Sequence, residues 1–189
     1  RARQRRGSQA YLDTTGAHQL LGVAHRVIAE VENTGGQHSI GTAQGDAVGK
    51  VLEDLIAANT GRRIITACFA SHVHRVQQIA DAAIANGRVI ATLGMSMKKN
   101  VRLAKEMGLL KIPDNKLLDI EDVKDLDPGK VCIISTGSQG EPTSALAKMA
   151  ANESRWITLT DQDTVILSSH PIPGNETNVS NVINSMARI

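Results

Sequence analysis

The residues best suited to chemistry lie between Val131 and Ala145, where an apolar run passes into a small polar loop. The loop reads Ser-Thr-Gly-Ser-Gln-Gly-Glu from residue 135 to 141, and Pro142 is expected to open a helix. Unpaired backbone N–H groups and the positive end of a helix dipole attract anions. This segment therefore predicts a binding site for a phosphate-bearing ligand.

Small polar residues also follow the other predicted strands. Ligands of open α/β sheets bind at the carboxyl ends of the strands, so these residues are expected to line one crevice. For any single position, such as Ser71, a simple helix cap is the alternative. The residues concerned are Ser71, then Gly94 and Ser96, then Thr136, Gly137 and Ser138, and finally Ser168 and Ser169.

Two further features belong to the same predicted edge. Lys98 and Lys99 open the helix after the second strand, where a solvated surface and a phosphate contact are both consistent with the sequence. Pro171 and Pro173 stiffen the loop at 168–176, which suits either a wall of a ligand channel or a plain connector.

The sequence indicates binding chemistry without reaction chemistry. Ser138 lacks the Gly-x-Ser-x-Gly pattern of a nucleophile elbow, and no acid–base partner can be named for it. His72 and His74 do not have the i, i+4 spacing of helical zinc ligands. We therefore predict no catalytic residue, no metal ligand and no cofactor bound by this chain itself.

The elements that must position these residues alternate between strand and helix from about residue 46. Apolar runs predict strands at 62–68, 89–93, 131–135 and 164–168, separated by segments of helical periodicity. The helices are expected at 48–56, 73–84, 101–107, 121–126, 143–151 and 178–187. This order predicts an α/β fold with a doubly wound, mostly parallel sheet and helices on both faces, as in Rossmann-like domains.

Residues 1–45 do not follow the alternation. They comprise an arginine-rich tail, an amphipathic helix expected from Ala17 to Val31, and a glycine-rich linker at 34–45. We therefore divide the chain into an N-terminal segment 1–45, whose origin the sequence leaves open, and an α/β domain at 46–189.

Composition excludes several classes of protein. Aromatic residues make up only 2% of the 189 residues, which argues against base-stacking platforms, and a net charge of +2 argues against a strongly basic nucleic-acid module. Cys68 and Cys132 fall in apolar strands, as reduced core residues do. No signal peptide or membrane-length apolar run is visible, so a cytoplasmic protein that contacts no membrane is expected.

Three segments in order, residues 69–78, 135–142 and 168–176, resemble the β-CASP domain of bacterial ribonuclease J. The resemblance covers about residues 46–189. It implies part of an RNA-processing and decay enzyme that acts as an endonuclease and as a 5′–3′ exonuclease. It also implies a zinc site on a metallo-β-lactamase domain of the same protein, and RNA, expected to be 5′-monophosphorylated, as the substrate.

The resemblance also implies which residues contact the RNA backbone. Lys98 and Lys99 would replace an arginine that the family often carries where this chain has Met95. The His-x-His-x-Asp-His zinc motif of the family is absent, so we expect these 189 residues alone not to hydrolyse RNA. The implied contacts are Ser71, His72, Arg75, Ser138, Gln139, Gly140, Ser169 and His170.

Two other functions stay open at this point. The Ser-Thr-Gly-Ser-Gln-Gly-Glu loop is also similar to the serine and threonine loops of sugar-phosphate isomerases, which favours a phosphosugar- or nucleotide-binding module. A structural or partner-binding domain, docking through the N-terminal amphipathic helix, is the third possibility. A homo-oligomer is compatible with each of these functions.

Overall fold

One parallel sheet organises the protein. The structure, a computed structural model, describes residues 10–12, 28–31 and 43–189, and the side chains from residue 48 onward. In the described part, seven strands pair in the order β1-β2-β7-β3-β6-β4-β5, and every neighbouring pair is parallel. The strands are β1 (Ala10–Leu12), β2 (Ile28–Val31), β3 (Arg63–Ala67), β4 (Val89–Leu93), β5 (Leu117–Leu118), β6 (Val131–Ser135) and β7 (Asp163–Leu167).

Helices cover both faces of this sheet. In the described ranges they are α1 (Ala43–Ala57), α2 (Val73–Ala85), α3 (Met95–Glu106), α4 (Ile120–Val123), α5 (Ala145–Ala150) and α6 (Glu176–Met186). Two short 3₁₀ turns, Asp114–Lys116 and Pro128–Lys130, precede β5 and β6. The predicted doubly wound α/β fold is confirmed.

Alternation along each strand builds two separate cores. Ile64, Ile90 and Ile134 point to one face and pack with buried residues of α1, α2 and α3. Ile65 and Ile133 point to the other face and pack with α4, α5 and α6. Because β6 and β7 are buried on both faces, successive residues in them are apolar, namely 131–134 in β6 and 165–167 in β7, as is typical of parallel strands.

A buried arginine, Arg88, links backbone segments at the amino ends of the strands. Arg88 is almost wholly buried and donates to three carbonyl oxygens, those of Asn59 (2.7 Å), Arg62 (2.8 Å) and Val131 (3.1 Å). Burial lowers the pKa of its guanidinium. These bonds satisfy most of its donors and tie together strands that are distant in sequence.

The sequence located most of these elements. β4 and β6 have the predicted bounds, and β3 and β7 differ from prediction by one residue at each end. The helix expected from Pro142 is different: α5 begins at Ala145, because the Ser144 hydroxyl accepts a hydrogen bond from the Ala147 amide at 3.2 Å and caps it. Pro142 therefore lies in the preceding turn and does not open the helix.

The N-terminal prediction is only partly covered. Ile28 and Val31, expected on an amphipathic helix, lie instead in β2, which pairs with β7. The remainder of that helix, the arginine-rich tail and the linker residues 34–42 lie outside the described residues. Residues 43–45 were also expected in the linker, but they form the first turn of α1. The division of the chain at residue 45 stays a prediction. No helix in the described part is long and apolar enough to cross a bilayer.

Candidate nucleic-acid interface

The crevice at the carboxyl edge lies between β3 and β6, which are neighbours in the sheet. The chain leaves β3 toward α2 on one face and leaves β6 toward α5 on the other. The Cys68 amide reaches the Ser135 carbonyl at 3.4 Å, so the two strands stay paired until their loops diverge. Such a divergence is where open α/β sheets bind ligands.

The loop after β6 is held by its own polar atoms. The Thr136 hydroxyl accepts from the Ala145 amide at 3.3 Å, and the Thr136 carbonyl accepts from the Leu146 amide at 3.1 Å. Gly137 has φ +109°, and a Cβ there would overlap the Ser144 hydroxyl, so a side chain is excluded. The amide groups of residues 137–139 donate to no residue that the structure describes. These N–H groups are therefore unused within the described part of the chain, in residues that are themselves buried.

Gln139 is buried and joins this loop to the one after β7. Its Oε1 accepts from the Ile172 amide at 2.7 Å and from Asn175 Nδ2 at 3.4 Å. Its Nε2 donates to the His170 carbonyl at 3.0 Å and to the Ser169 hydroxyl at 3.3 Å. Both ends of the amide are used within the protein, so in this structure Gln139 supports the wall of the crevice instead of presenting donors to a ligand.

Ser138 and Gly140 are also buried. Gly140 has φ +72°, and a Cβ there would overlap the backbone of Asn178 and Val179 in the first turn of α6. The loop after β6 and α6 therefore interlock at this point. Among the predicted contact residues, these two shape the crevice from inside.

Arg75 lies inside the fold, with only 4% of its surface exposed. Its Nη1 donates to the Ser168 hydroxyl at 2.7 Å, at the end of β7, while its Nε is buried and meets no acceptor among the residues that the structure describes. Burial lowers the pKa of the guanidinium, opposed in part by the nearby Cys68. Arg75 thus connects the first turn of α2 with the end of β7.

The exposed members of the predicted set surround the crevice. Ser71, His72 and His170 are exposed, and Ser169 is partly so. Asn100 of α3 donates to the Ala70 carbonyl at 3.0 Å, which fastens the loop after β3 to the helix carrying the two lysines. The lysines are therefore held on the same edge as Ser71.

Lys98 and Lys99 are both exposed. Lys98 Nζ is 3.9 Å from Asp119 Oδ1, a loose pairing across a surface that faces solvent. Lys98 also lines a groove of about 890 Å³ that runs from Gly94 toward Trp156. The guanidinium of Arg155 stacks over the Trp156 ring at 4.4 Å from its centroid.

Sequence reasoning missed the Arg155–Trp156 pair. Its one available signal was a lone tryptophan directly after an arginine, in a chain with very few aromatic residues. The other wall of the groove includes carboxylates, so its charge is mixed; the lining acids are Glu121, Glu141 and Glu153.

Neither thiol nor metal chemistry is supported by the described residues. Among them, no group of three or more His, Cys, Asp or Glu side chains is arranged to hold a metal ion. Burial raises the pKa of both Cys68 and Cys132 to about 12, which keeps these thiols protonated at neutral pH. The carboxyl edge of the sheet therefore offers hydrogen-bond donors, which suit the binding and orientation of a ligand.

Comparison with known proteins identifies the domain. A family described as "Ribonuclease J, beta-CASP domain" matches residues 61–186. The chain belongs to this family. Within this β-CASP domain the matched residues include β3 to β7 and every loop of the crevice, so the resemblance of the three motifs is confirmed.

Curated relatives agree with this assignment. Ribonuclease J of Mycolicibacterium smegmatis is 46% identical over 158 residues, which is 84% of this chain and 28% of the relative. Ribonuclease J of Mycobacterium tuberculosis is 49% identical over 142 residues, 75% of this chain and 25% of the relative. That of Thermus thermophilus is 45% identical over 139 residues, 74% of this chain and 24% of the relative. The chain thus spans about a quarter of the length of these relatives.

Proposed function

We propose that this β-CASP domain binds RNA for an RNA-processing and decay ribonuclease, with the RNA backbone lying across the carboxyl edge of the sheet. The observation that carries the proposal is the divergence of the loops after β3 and β6, beside the amides of residues 137–139, which have no acceptor among the described residues. Backbone amides at such a position recognise phosphate oxygens without reading sequence. The names of the matched relatives support a nuclease as the whole protein.

The predicted contact residues divide into two roles in this proposal. The exposed residues, Ser71, His72, Lys98, Lys99 and His170 with the partly exposed Ser169, contact phosphates and sugars. The buried Ser138, Gln139 and Gly140 position the loops. Only two of the contact residues are lysines, so affinity depends on few phosphate contacts and falls with salt only moderately.

Hydrolysis belongs to another part of the proposed enzyme. The described residues do not fit a metal ion, so no chemical step is assigned to them. We propose that a metallo-β-lactamase domain of the same protein holds zinc and cuts RNA, both endonucleolytically and from a 5′-monophosphorylated end. In this arrangement the domain described here binds and orients the substrate, in the cytoplasm. A sugar phosphate or nucleotide is the alternative ligand, and the matched family favours RNA over it.

A binding measurement with the 189-residue chain tests the proposal. Fluorescence anisotropy of a labelled single-stranded RNA is recorded across a range of salt concentrations, for the wild type and for the double variant Lys98→Ala with Lys99→Ala. Removing two phosphate contacts should weaken binding and make the log–log salt slope shallower by roughly 1.4. The matched control is Lys124→Ala with Lys130→Ala, two exposed lysines near the amino ends of the strands. Equal losses in both pairs, or no binding by the wild type, would refute the proposal.

A further inference from the structure

The groove that ends at Trp156 lies between two helices on one face of the sheet. Its lining includes Glu121 of α4 and Lys148 of α5. It starts at Gly94 and Thr136, which directly follow the neighbouring strands β4 and β6. The loop that carries Thr136 also forms one wall of the crevice, so an RNA strand that crosses the crevice can continue into the groove. Its volume of about 890 Å³ is typical of ligand sites.

The far end of the groove carries a flat, supported guanidinium. The guanidinium carbon of Arg155 lies 4.4 Å from the centroid of the Trp156 ring. That ring is partly buried and packs against the core shared by α4, α5 and α6. The Ser154 hydroxyl accepts from the amides of Trp156 and Ile157 at 3.4 Å each, which fixes the turn that carries the ring. Arg155 itself is exposed, so the outer face of its guanidinium is open to a ligand.

The charges of the groove determine which part of an RNA can lie on this guanidinium. Carboxylates line the groove beside it, from Glu121, Glu141 and Glu153. Carboxylates repel phosphate groups, but they accept hydrogen bonds from the amino groups of nucleobases. The planar face of an arginine guanidinium also stacks on bases. A nucleobase therefore suits this end of the groove better than a phosphate group does.

We infer that Arg155, supported by Trp156, is a stacking platform for one nucleobase of the bound RNA. The inference rests on the proposed function, and it adds a base contact outside the crevice to the phosphate contacts proposed within it. Because every base has a π face, the platform increases affinity without selecting a sequence. The low aromatic content of the chain is compatible with this single platform, since arginine and not the aromatic ring meets the base.

The first experiment uses the fluorescence of Trp156, which is the one tryptophan of the chain. A single-stranded RNA is titrated into the 189-residue chain while tryptophan emission is recorded, and anisotropy of the same RNA with a label gives its Kd. Trp156 emission should change and saturate with that same Kd. RNA binding that leaves the emission unchanged would overturn the platform and leave the proposed function standing. Absence of any RNA binding would reject both.

The second experiment separates the plane of the guanidinium from its charge. Arg155→Lys keeps the charge and removes the planar face, so RNA binding should weaken by roughly threefold to tenfold. The log–log salt slope should stay unchanged, because the number of cations is the same. The matched control is Arg188→Lys, at an exposed arginine after the end of α6, and it should bind as the wild type does. Equal losses in the two variants, or wild-type affinity in Arg155→Lys, would overturn the platform.

The third experiment tests whether Arg155 contacts a base. The RNA is compared with an abasic strand of the same length, which keeps every phosphate and sugar but has no bases. Loss of the bases should weaken binding by the wild type more than binding by Arg155→Lys, and the ratio of the two losses should match the threefold to tenfold effect of the substitution. The abasic strand should also leave Trp156 emission unchanged. Equal losses in the wild type and in Arg155→Lys would overturn base stacking at Arg155.

Discussion

The strongest single test of the crevice is the replacement of Gln139 by methionine, which keeps the length of the side chain and removes all its hydrogen bonds. Gln139 contributes two short bonds, to the Ile172 amide at 2.7 Å and the His170 carbonyl at 3.0 Å, and two longer ones. A net contribution of roughly 1 kcal/mol for each short bond gives a loss of about 2 kcal/mol. The longer contacts add little because their geometry is poorer.

That loss should be visible in two measurements. For a chain of this size, about 2 kcal/mol lowers Tm by roughly 4–8 °C. The Ile172 side chain is half exposed, and Gln139 is the acceptor of its amide. In Gln139→Met, the Ile172 amide should therefore exchange its hydrogen faster than in the wild type, while the amides of the core strands stay protected.

The control is Gln162→Met, because the Gln162 side chain is exposed and, among the described residues, donates just to the adjacent Asp161, at 3.4 Å. This variant should change Tm by less than a degree or two, since surface changes of this kind stay within about 0.5 kcal/mol. A Tm change in Gln139→Met as small as that of the control, together with a wild-type exchange rate at the Ile172 amide, would show that Gln139 does not hold the two loops together. Its assignment as a supporting residue would then fail.

Three further predictions concern stability. Gly140→Ala should lower the free energy of unfolding by about 2 kcal/mol or more, because the positive φ of Gly140 and the first turn of α6 both exclude a Cβ. Chemical unfolding measures this loss, and an unchanged free energy would contradict the close packing of this loop against α6. Asp163→Asn should cost about 3 kcal/mol in the same assay, since it leaves the Arg63 guanidinium without the carboxylate now 2.8 Å away; a cost below 1 kcal/mol would argue against a buried pair. The Cys68 and Cys132 thiols have a pKa of about 12 in the folded protein, compared with an ordinary thiol pKa of 9.0. The unfolded chain therefore loses these protons at lower pH, and the free energy of unfolding should fall as pH rises from 9.0 toward 12. A double change to alanine should flatten that alkaline limb, and an unchanged limb would exclude the thiols as its cause.

The sequence predicts some strands and helices more accurately than others. β4 and β6 were located correctly because both are buried on two faces, so each is a short, mostly apolar run. β5 was missed, since two leucines paired only with the edge of β4 give no periodic signal. The start of α5 was misjudged because proline also occurs in the turn before a capping serine, and only the Ser144 contact distinguishes the two cases.

For the candidate site, too, the sequence predicts some features and misses others. Residue types at strand ends predict a site on one edge of the sheet, because the described strands all run parallel and their carboxyl ends coincide. Residue types did not reveal which side chains face outward. Gln139 and Arg75 resemble ligand-binding residues in sequence, yet each turns inward, toward polar groups of the loop after β7. Such polar groups must be paired wherever loops pack closely.

The position of β3 in the sheet also bears on how the protein is made. β3 is among the earlier strands in the chain, but its two neighbours, β6 and β7, are among the last. During synthesis both edges of β3 stay unpaired until residues beyond 131 and 163 have emerged, a non-local order that slows folding and exposes strand edges. The crevice between β3 and β6 cannot exist in a product that ends before β6. A nascent chain therefore acquires it only after residue 135 has emerged.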